Sequence, residues 1–226
     1  MRHRKVKNLE ARVEATRHLI IENPKENKGK WRQVLGEEAK TSGDAGVMDI
    51  QPQKLYIELG CGKGKFLCAR ALADPDALFL GIEGLDAVLI RGLERAEESK
   101  VDNVRFVMEY VADIRDFFED DEVDGIYLNF SDPWPKPRHA KRRFTYGDTL
   151  LKYEQILKPG GFVAFKTDNE ELFDFTLEEI ERLNLNMVEV SRDLHNSDYS
   201  AKDFTTEYEE KFHAKGKNIN YVKLKF

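Results

Sequence analysis

Three stretches of this chain carry residue types that do chemistry. The first is LYIELGCGKGKF, residues 55–66, where an apolar run meets Gly60-x-Gly62-x-Gly64 and then a helical pattern. Glycines at that spacing let the backbone turn tightly and come close to a ligand. A plain strand–turn–helix joint needs no more than this. The dinucleotide fingerprint wants a third glycine at position 65, and Lys65 stands there. Glu58, two residues ahead of the first glycine, fits a different ligand. In S-adenosylmethionine enzymes an acid at this place faces the methionine end of the cofactor, whose ammonium needs a counter-charge. The second stretch, FLGIE, brings Glu83 to the end of the next apolar run, where a carboxylate can accept two hydrogen bonds from a ribose diol.

The third stretch is YLNFSDPWPKPRHAKRRF, residues 127–144. Asp132 closes an apolar run, and Pro133 and Pro135 keep the chain from entering a helix at once. Trp134 offers a face on which a base can stack. Lys136, Arg138, Lys141, Arg142 and Arg143 put five positive charges into eight residues. Such donors suit phosphates, with His139 among them. A charge run is often only a solvated face, or a localisation tag. This one is spliced between a strand and a helix of the core, which favours contact with a nucleic acid. Glu109, Tyr110 and Asp113, after a further apolar run, are candidates to flank an adenine ring, although Asp113 could equally cap the short helix that follows.

The elements that must carry these residues alternate. Short apolar strands are expected at KLYIEL, ALFLGIE, VRFVME, VDGIYLNF and FVAFKT, then at NMVEVSRDL and INYVKLKF. Between them lie helical patterns, including LDAVLIRGLERAEES with Leu85, Leu89, Leu93 and Ala96 at helical spacing, and EELFDFTLEEIERL capped by Asn169 or Asp168. IRDFF starts a short helix, and LKPGG is expected to turn. Alternation of this kind predicts an α/β fold with a parallel sheet covered on both faces. Ahead of it, residues 1–23 read as a basic, partly helical arm, with Trp31 an anchor and 36–53 a mobile loop. The expected division is 1–53, arm and loop, and 54–226, the core domain.

Charge follows the same plan. The formal net charge is −6, yet residues 1–17 carry +4 and residues 136–143 carry +5, which leaves −15 for the rest. Six acids between Asp116 and Asp124 precede the fourth strand, at the sheet edge opposite Asp132. A phosphate backbone is repelled from that edge and drawn to the other. Ordinary apolar content, no long apolar run and no apolar core in the basic N-terminus argue against a membrane span or a secretory signal. The two cysteines, Cys61 and Cys68, and the five histidines show no metal-ligand spacing. A cytoplasmic protein without a metal is expected.

SDPWPKPRHAKRR, FKTDN, DLHNS and TEYEEKF together resemble the bacterial tRNA (guanine-N7-)-methyltransferase family. The resemblance runs from about Asn23 to the C-terminus, apart from the 36–53 loop. It implies a class I S-adenosylmethionine-dependent, Rossmann-like fold with a mostly parallel seven-stranded sheet. It also implies methylation of a guanine N7 in the tRNA variable loop, by a monomer or homodimer. Carried over motif by motif, Glu58, Gly60, Gly62, Glu83 and Asp132 lie at the cofactor, and Asp132 is the catalytic position. Lys136, Asp168 and the segment Thr206, Glu207, Tyr208, Glu209 contact substrate, and Arg138, His139, Lys141, Arg142 and Arg143 form the RNA-contacting stretch. Where the family shows Asp or Asn before a small residue, this chain has Glu109-Tyr110-Val111, so the resemblance puts Tyr110 at the position beside adenine, or Glu109 with a shift of one residue. Three rivals differ in chemistry: a methyltransferase for another RNA or an amine, a non-catalytic RNA-binding module, and a nicotinamide dehydrogenase. The long basic splice and TEYE speak against the first, the intact acids and glycines against the second, and Lys65 against the third.

Overall fold

A computed structural model describes residues 6–40 and 53–226, with side chains left aside for 37–40. The expected mobile loop over 36–53 therefore lies mostly outside the described residues. Gly36–Lys40 belong to a helix, and 41–52 are not described. The chain divides into two compact units, one ending at Phe118 and the other running Glu119–Phe226. Seven strands, most of them parallel, make up the sheet, three in the first unit and four in the second.

In the first unit, β1 (Leu55–Leu59), β2 (Leu78–Ile82) and β3 (Val104–Val107) are parallel, in the order β1-β2-β3. Every residue of these strands is buried, Glu58 in β1 and Arg105 in β3 included, and of the three only β2 reads in sequence as a continuous apolar run. Helices α1 (Leu9–Ala15), α2 (Trp31–Lys40), α3 (Lys65–Ala73) and α4 (Asp86–Ser99) complete the unit. α4 buries Leu89, Ile90, Leu93 and Ala96, one helical stripe; Leu85 is its N-cap rather than its first buried residue. Trp31 is fully buried, donates its indole N–H to Phe117 O at 2.7 Å and packs its ring 5.4 Å from Phe118.

The basic arm is built into this unit. Leu19 and Ile21 are buried, and Ile21 N donates to Phe106 O at 2.8 Å, so the arm extends the open edge of β3. Arg12 grips Glu94 on α4 through two hydrogen bonds of 2.6 Å, and His18 lies 2.8 Å from Glu97. Among the described residues of the arm, Arg12 thus meets a carboxylate of α4.

In the second unit, β4 (Val123–Asn129) and β5 (Leu157–Thr167) are parallel, and β7 (Asn220–Lys225) runs antiparallel between β5 and β6 (Asn186–Ser191). Helices α5 (Gly147–Ile156), α6 (Glu170–Arg182) and α7 (Glu207–His213) complete it. Asn169, one of the two expected caps, accepts from Leu172 N at 2.7 Å. LKPGG is not a separate turn. It is a bulge inside β5, where pairing with β4 jumps from Val123–Leu157 to Gly125–Phe162. Gly160 takes φ +83, and a Cβ on Gly161 would stand 2.8 Å from Lys158 O, so both positions require glycine. Among the described residues no helix is long and apolar enough to cross a membrane.

Candidate active site and nucleic-acid interface

The glycine loop follows β1 directly. Gly60, Gly62 and Gly64 all adopt positive φ, at 71°, 58° and 67°, a region that side chains avoid. Gly64 also needs the room, since a Cβ there would approach Gly92 Cα to 3.0 Å. Gly62 is different. Its Cβ would meet nothing nearer than Gly60 O at 4.0 Å, so the space before its backbone is open. Glu83, one residue past β2, holds the loop in this shape. It accepts from Gly62 N at 3.2 Å through one carboxylate oxygen and from Leu85 N at 2.9 Å through the other. Each oxygen keeps a second lone pair for a further donor.

Glu58, in β1, is 1% exposed. Cys61 connects it to Glu83 electrostatically. Burial first, then the negative charges of Glu58 and Glu83, push the Cys61 thiol well above its usual range, so it stays protonated. Tyr110, beyond β3, is 72% exposed. Its ring rests on the backbone of Gly84, where a Cβ would lie 2.4–2.5 Å from ring carbons. A glycine beside Glu83 is therefore what allows the aromatic ring to lie there. Glu109 is exposed, whereas Asp113 caps a 3-10 turn by accepting from Arg115 N at 3.1 Å and pairs with that arginine's guanidinium. These residues fit S-adenosylmethionine chemically: an open glycine backbone, a buried carboxylate on the preceding strand and a second carboxylate after the next.

The second unit holds the other half of the predicted residues. Asp132 is exposed, three residues past β4, and Asp168 follows β5, so both acids hang from the carboxyl ends of adjacent parallel strands. The chain leaves β4 under strain. Phe130 and Trp134 have φ of +54° and +42°, left-handed conformations that cost about 1–3 kcal/mol each for non-glycine residues. Arg143 offsets some of that cost. Its Nε donates to Pro133 O at 3.0 Å and its Nη2 to Trp134 O at 3.1 Å, while the guanidinium lies 4.2 Å from the centroid of Phe175. The other cations of the stretch are exposed. Arg142 sits 4.9 Å from the Trp134 ring centroid, and His139 meets the same ring edge-on at 5.7 Å and accepts from Arg138 at 3.3 Å. Lys136 and Lys141 are exposed. Within the predicted RNA-contacting stretch, then, Arg143 is turned into the fold.

The segment 206–209 divides in the same way. Thr206 caps α7, accepting from Glu209 N at 3.0 Å. Glu209 is fully buried, 3.2 Å from Lys166 Nζ, and this leaves it no surface on which a substrate could rest. Lys166 also donates to Ala201 O at 2.6 Å and Phe204 O at 2.7 Å. His195 Nε2 lies 3.0 Å from Glu209 Oε1 without the alignment of a hydrogen bond. Burial outweighs that carboxylate and lowers the His195 pKa. Glu207 is half-buried, and Tyr208 is the exposed aromatic of the segment. Burial first, then the Asp168 charge, raises the Tyr208 phenol. Asp168 also pairs with Lys217 at 2.8 Å. Sequence reasoning passed over Lys166 and Lys217. A lysine inside the apolar run FVAFKT was the available signal for the first, because lysine is almost never fully buried unless paired. Among the described residues no cluster of three metal-ligating side chains occurs.

A family model described as "Putative methyltransferase" matches residues 52–222. A tRNA (guanine-N(7)-)-methyltransferase of Halalkalibacterium halodurans is 43% identical over 208 residues, covering 92% of this chain and 88% of its own. One from Lachnoclostridium phytofermentans is 41% identical over 201 residues, covering 89% and 87%. A crystal structure of a SAM-dependent methyltransferase from Aquifex aeolicus superposes with a TM-score of 0.52 at 12% identity, covering 97% and 99%, a likeness of fold alone.

Proposed function

The chain belongs to the tRNA (guanine-N7-)-methyltransferase family, and on that premise we propose how its residues perform methyl transfer from S-adenosylmethionine to N7 of a guanine in tRNA. The observation that carries the reading is that relatives bearing this activity align along nearly the whole chain, not over the glycine-loop half alone. The finer assignment is a guanine of the variable loop, methylated in the cytoplasm by a monomer or homodimer that needs no metal.

When bound, S-adenosylmethionine supplies an electrophilic methyl on a sulfonium. Glu58 is placed to balance the ammonium, Glu83 to accept from the ribose hydroxyls and Tyr110 to lie against the adenine. Guanine N7 carries an in-plane lone pair and no proton. Attack from it leaves a cationic ring, so no general base is required at the transferred atom. The protein's task is therefore positioning and charge complementarity. Asp132 and Asp168, at neighbouring strand ends, accept from the guanine N1–H and amino group and favour the growing positive charge. Arg142, Arg138, Lys136 and Lys141, with His139, hold the phosphates.

Two measurements test this. Unmodified bulk tRNA incubated with methyl-labelled cofactor should yield 7-methylguanosine at a variable-loop position; label on an exocyclic amine would overturn the assignment. Single-turnover methyl transfer should also be flat with pH through neutrality, in the wild type and in a slower Asp132→Asn variant. A rate that tracks ionisation of a group near neutrality and vanishes in Asp132→Asn would make Asp132 a base.

A further inference from the structure

The end of α7 collects positive charge that the basic loop does not account for. Lys211, Lys215 and Lys217 hold their ammonium groups 5.8, 5.4 and 4.9 Å from the centroid of one ring, Phe212. Residues 211–218 contain these three lysines and His213, and no acid. All four side chains are exposed. Among the described residues only Lys217 has a carboxylate partner, Asp168. Like charges gathered round one ring repel each other, and the ring's face returns only about 0.5–1 kcal/mol per exposed cation. A bound polyanion relieves that repulsion.

A solvated surface patch would have no particular address, whereas this one does. Phe212 packs on Tyr208 at 4.3 Å, and Tyr208 packs on Phe130 at 5.1 Å. Phe130 is the first residue past β4, two before Asp132. Lys217 lies on Asp168, the first residue past β5. A line of three rings thus runs from the foot of the basic loop to the lysines. The cluster borders the same strand ends that carry both candidate guanine-orienting acids.

We propose that Lys211, Lys215 and Lys217 form a second phosphate-contacting surface for the substrate RNA, and that Lys217 leaves Asp168 for a phosphate as the guanine arrives. The proposal rests on the tRNA reading above. Lys217 then has two successive partners. It keeps the Asp168 carboxylate paired in the free protein and releases it to the base in the complex. Gly216, with φ +77 and nothing within 4 Å of where a Cβ would stand, gives the backbone beside Lys217 room to move.

The test is equilibrium binding of unmodified tRNA over a range of salt, with cofactor binding followed by calorimetry. Lys211→Gln/Lys215→Gln should weaken tRNA binding and reduce the slope of log K against log salt by about 1.4–1.8, the value for two lost phosphate contacts. Lys217→Met should reduce it by about one contact more. Cofactor affinity should stay at the wild-type value in both. Arg142→Glu, in the basic loop, separates the two ideas. If Arg142→Glu weakens tRNA binding and the lysine variants leave affinity and slope unchanged, the second surface is wrong and the tRNA reading stands. If none of the variants alters tRNA binding, the tRNA reading itself falls. Should Lys217→Met alone leave the slope intact, Lys217 only masks Asp168 and the exchange is refuted.

Discussion

Glu209→Ala is expected to lower folding stability by about 3–5 kcal/mol. Lys166 and Glu209 are both buried and lie 3.2 Å apart. Removing the carboxylate leaves a buried ammonium that still donates to the Ala201 and Phe204 carbonyls but has lost its counter-charge. Carbonyls solvate part of a charge but do not neutralise it. A paired deletion, Lys166→Met with Glu209→Leu, should recover most of the loss, because apolar groups of similar volume have no desolvation cost. Urea unfolding at neutral pH reads both. A Glu209→Ala loss below about 1 kcal/mol would mean that the ion pair is not closed inside the fold.

His195 adds a pH dependence to the same hub. Burial holds its folded pKa below the unfolded value, although Glu209 pulls the other way. The neutral ring is thus the one the fold prefers. That contribution is fully present above the unfolded pKa and is lost as pH falls through the folded one. Replacing Glu209 with glutamine removes the opposing pull, so the His195 pKa should fall further.

Arg143→Ala is expected to reduce methyl transfer on the order of 10²-fold, the scale of a misplacement of about 1 Å at the reacting groups. The slope of tRNA binding against salt should hardly move. Arg143 is bound to the carbonyls of Pro133 and Trp134, directly after Asp132, and Trp134 is held at a φ that its side chain disfavours. Without the guanidinium the loop relaxes and Asp132 drifts. Arg142 supplies the contrast: it is exposed over Trp134, so Arg142→Ala should flatten the salt dependence and spare more of the turnover at saturating tRNA. Guanidinium ion should partly restore Arg143→Ala, whereas Arg143→Lys should not, since an ammonium lacks the fork that spans two carbonyls. If Arg143→Ala loses salt dependence and keeps its turnover, the residue is a phosphate contact and its grip on the loop is incidental.

Much of the site was legible because its signals are local. Gly60, Gly62 and Gly64 announce positive φ by their residue type, and all three adopt it. β2 announces burial on both faces by an unbroken apolar run, whereas Glu58 and Arg105 interrupt β1 and β3 and are buried all the same. Trp31 reads as an anchor because a large aromatic in a polar stretch must be buried against something, and it is. The reading fell short where residues of one type take opposite roles. Arg142 and Arg143 are adjacent and chemically identical, yet one faces solvent over Trp134 and the other holds a strained turn. Tyr208 and Glu209 sit side by side in TEYE, yet a helix turns consecutive residues to different faces, exposing one and burying the other.

Sequence alone determined the alternation of strand and helix, the glycine loop, the acids at the strand ends and the segregation of positive charge. Each of these rests on spacing along the chain, which side-chain volume and backbone sterics convert directly into local structure. Only tertiary structure decided which charges remain for a partner. Arg12, Arg143, Lys166 and Glu209 have found partners within the fold, at sequence separations of 82 for Arg12–Glu94 and 43 for Lys166–Glu209. A charge is available to RNA only if folding has not already paired it, and for Arg12, Lys166 and Glu209 that pairing is set by long-range contacts that no local pattern encodes.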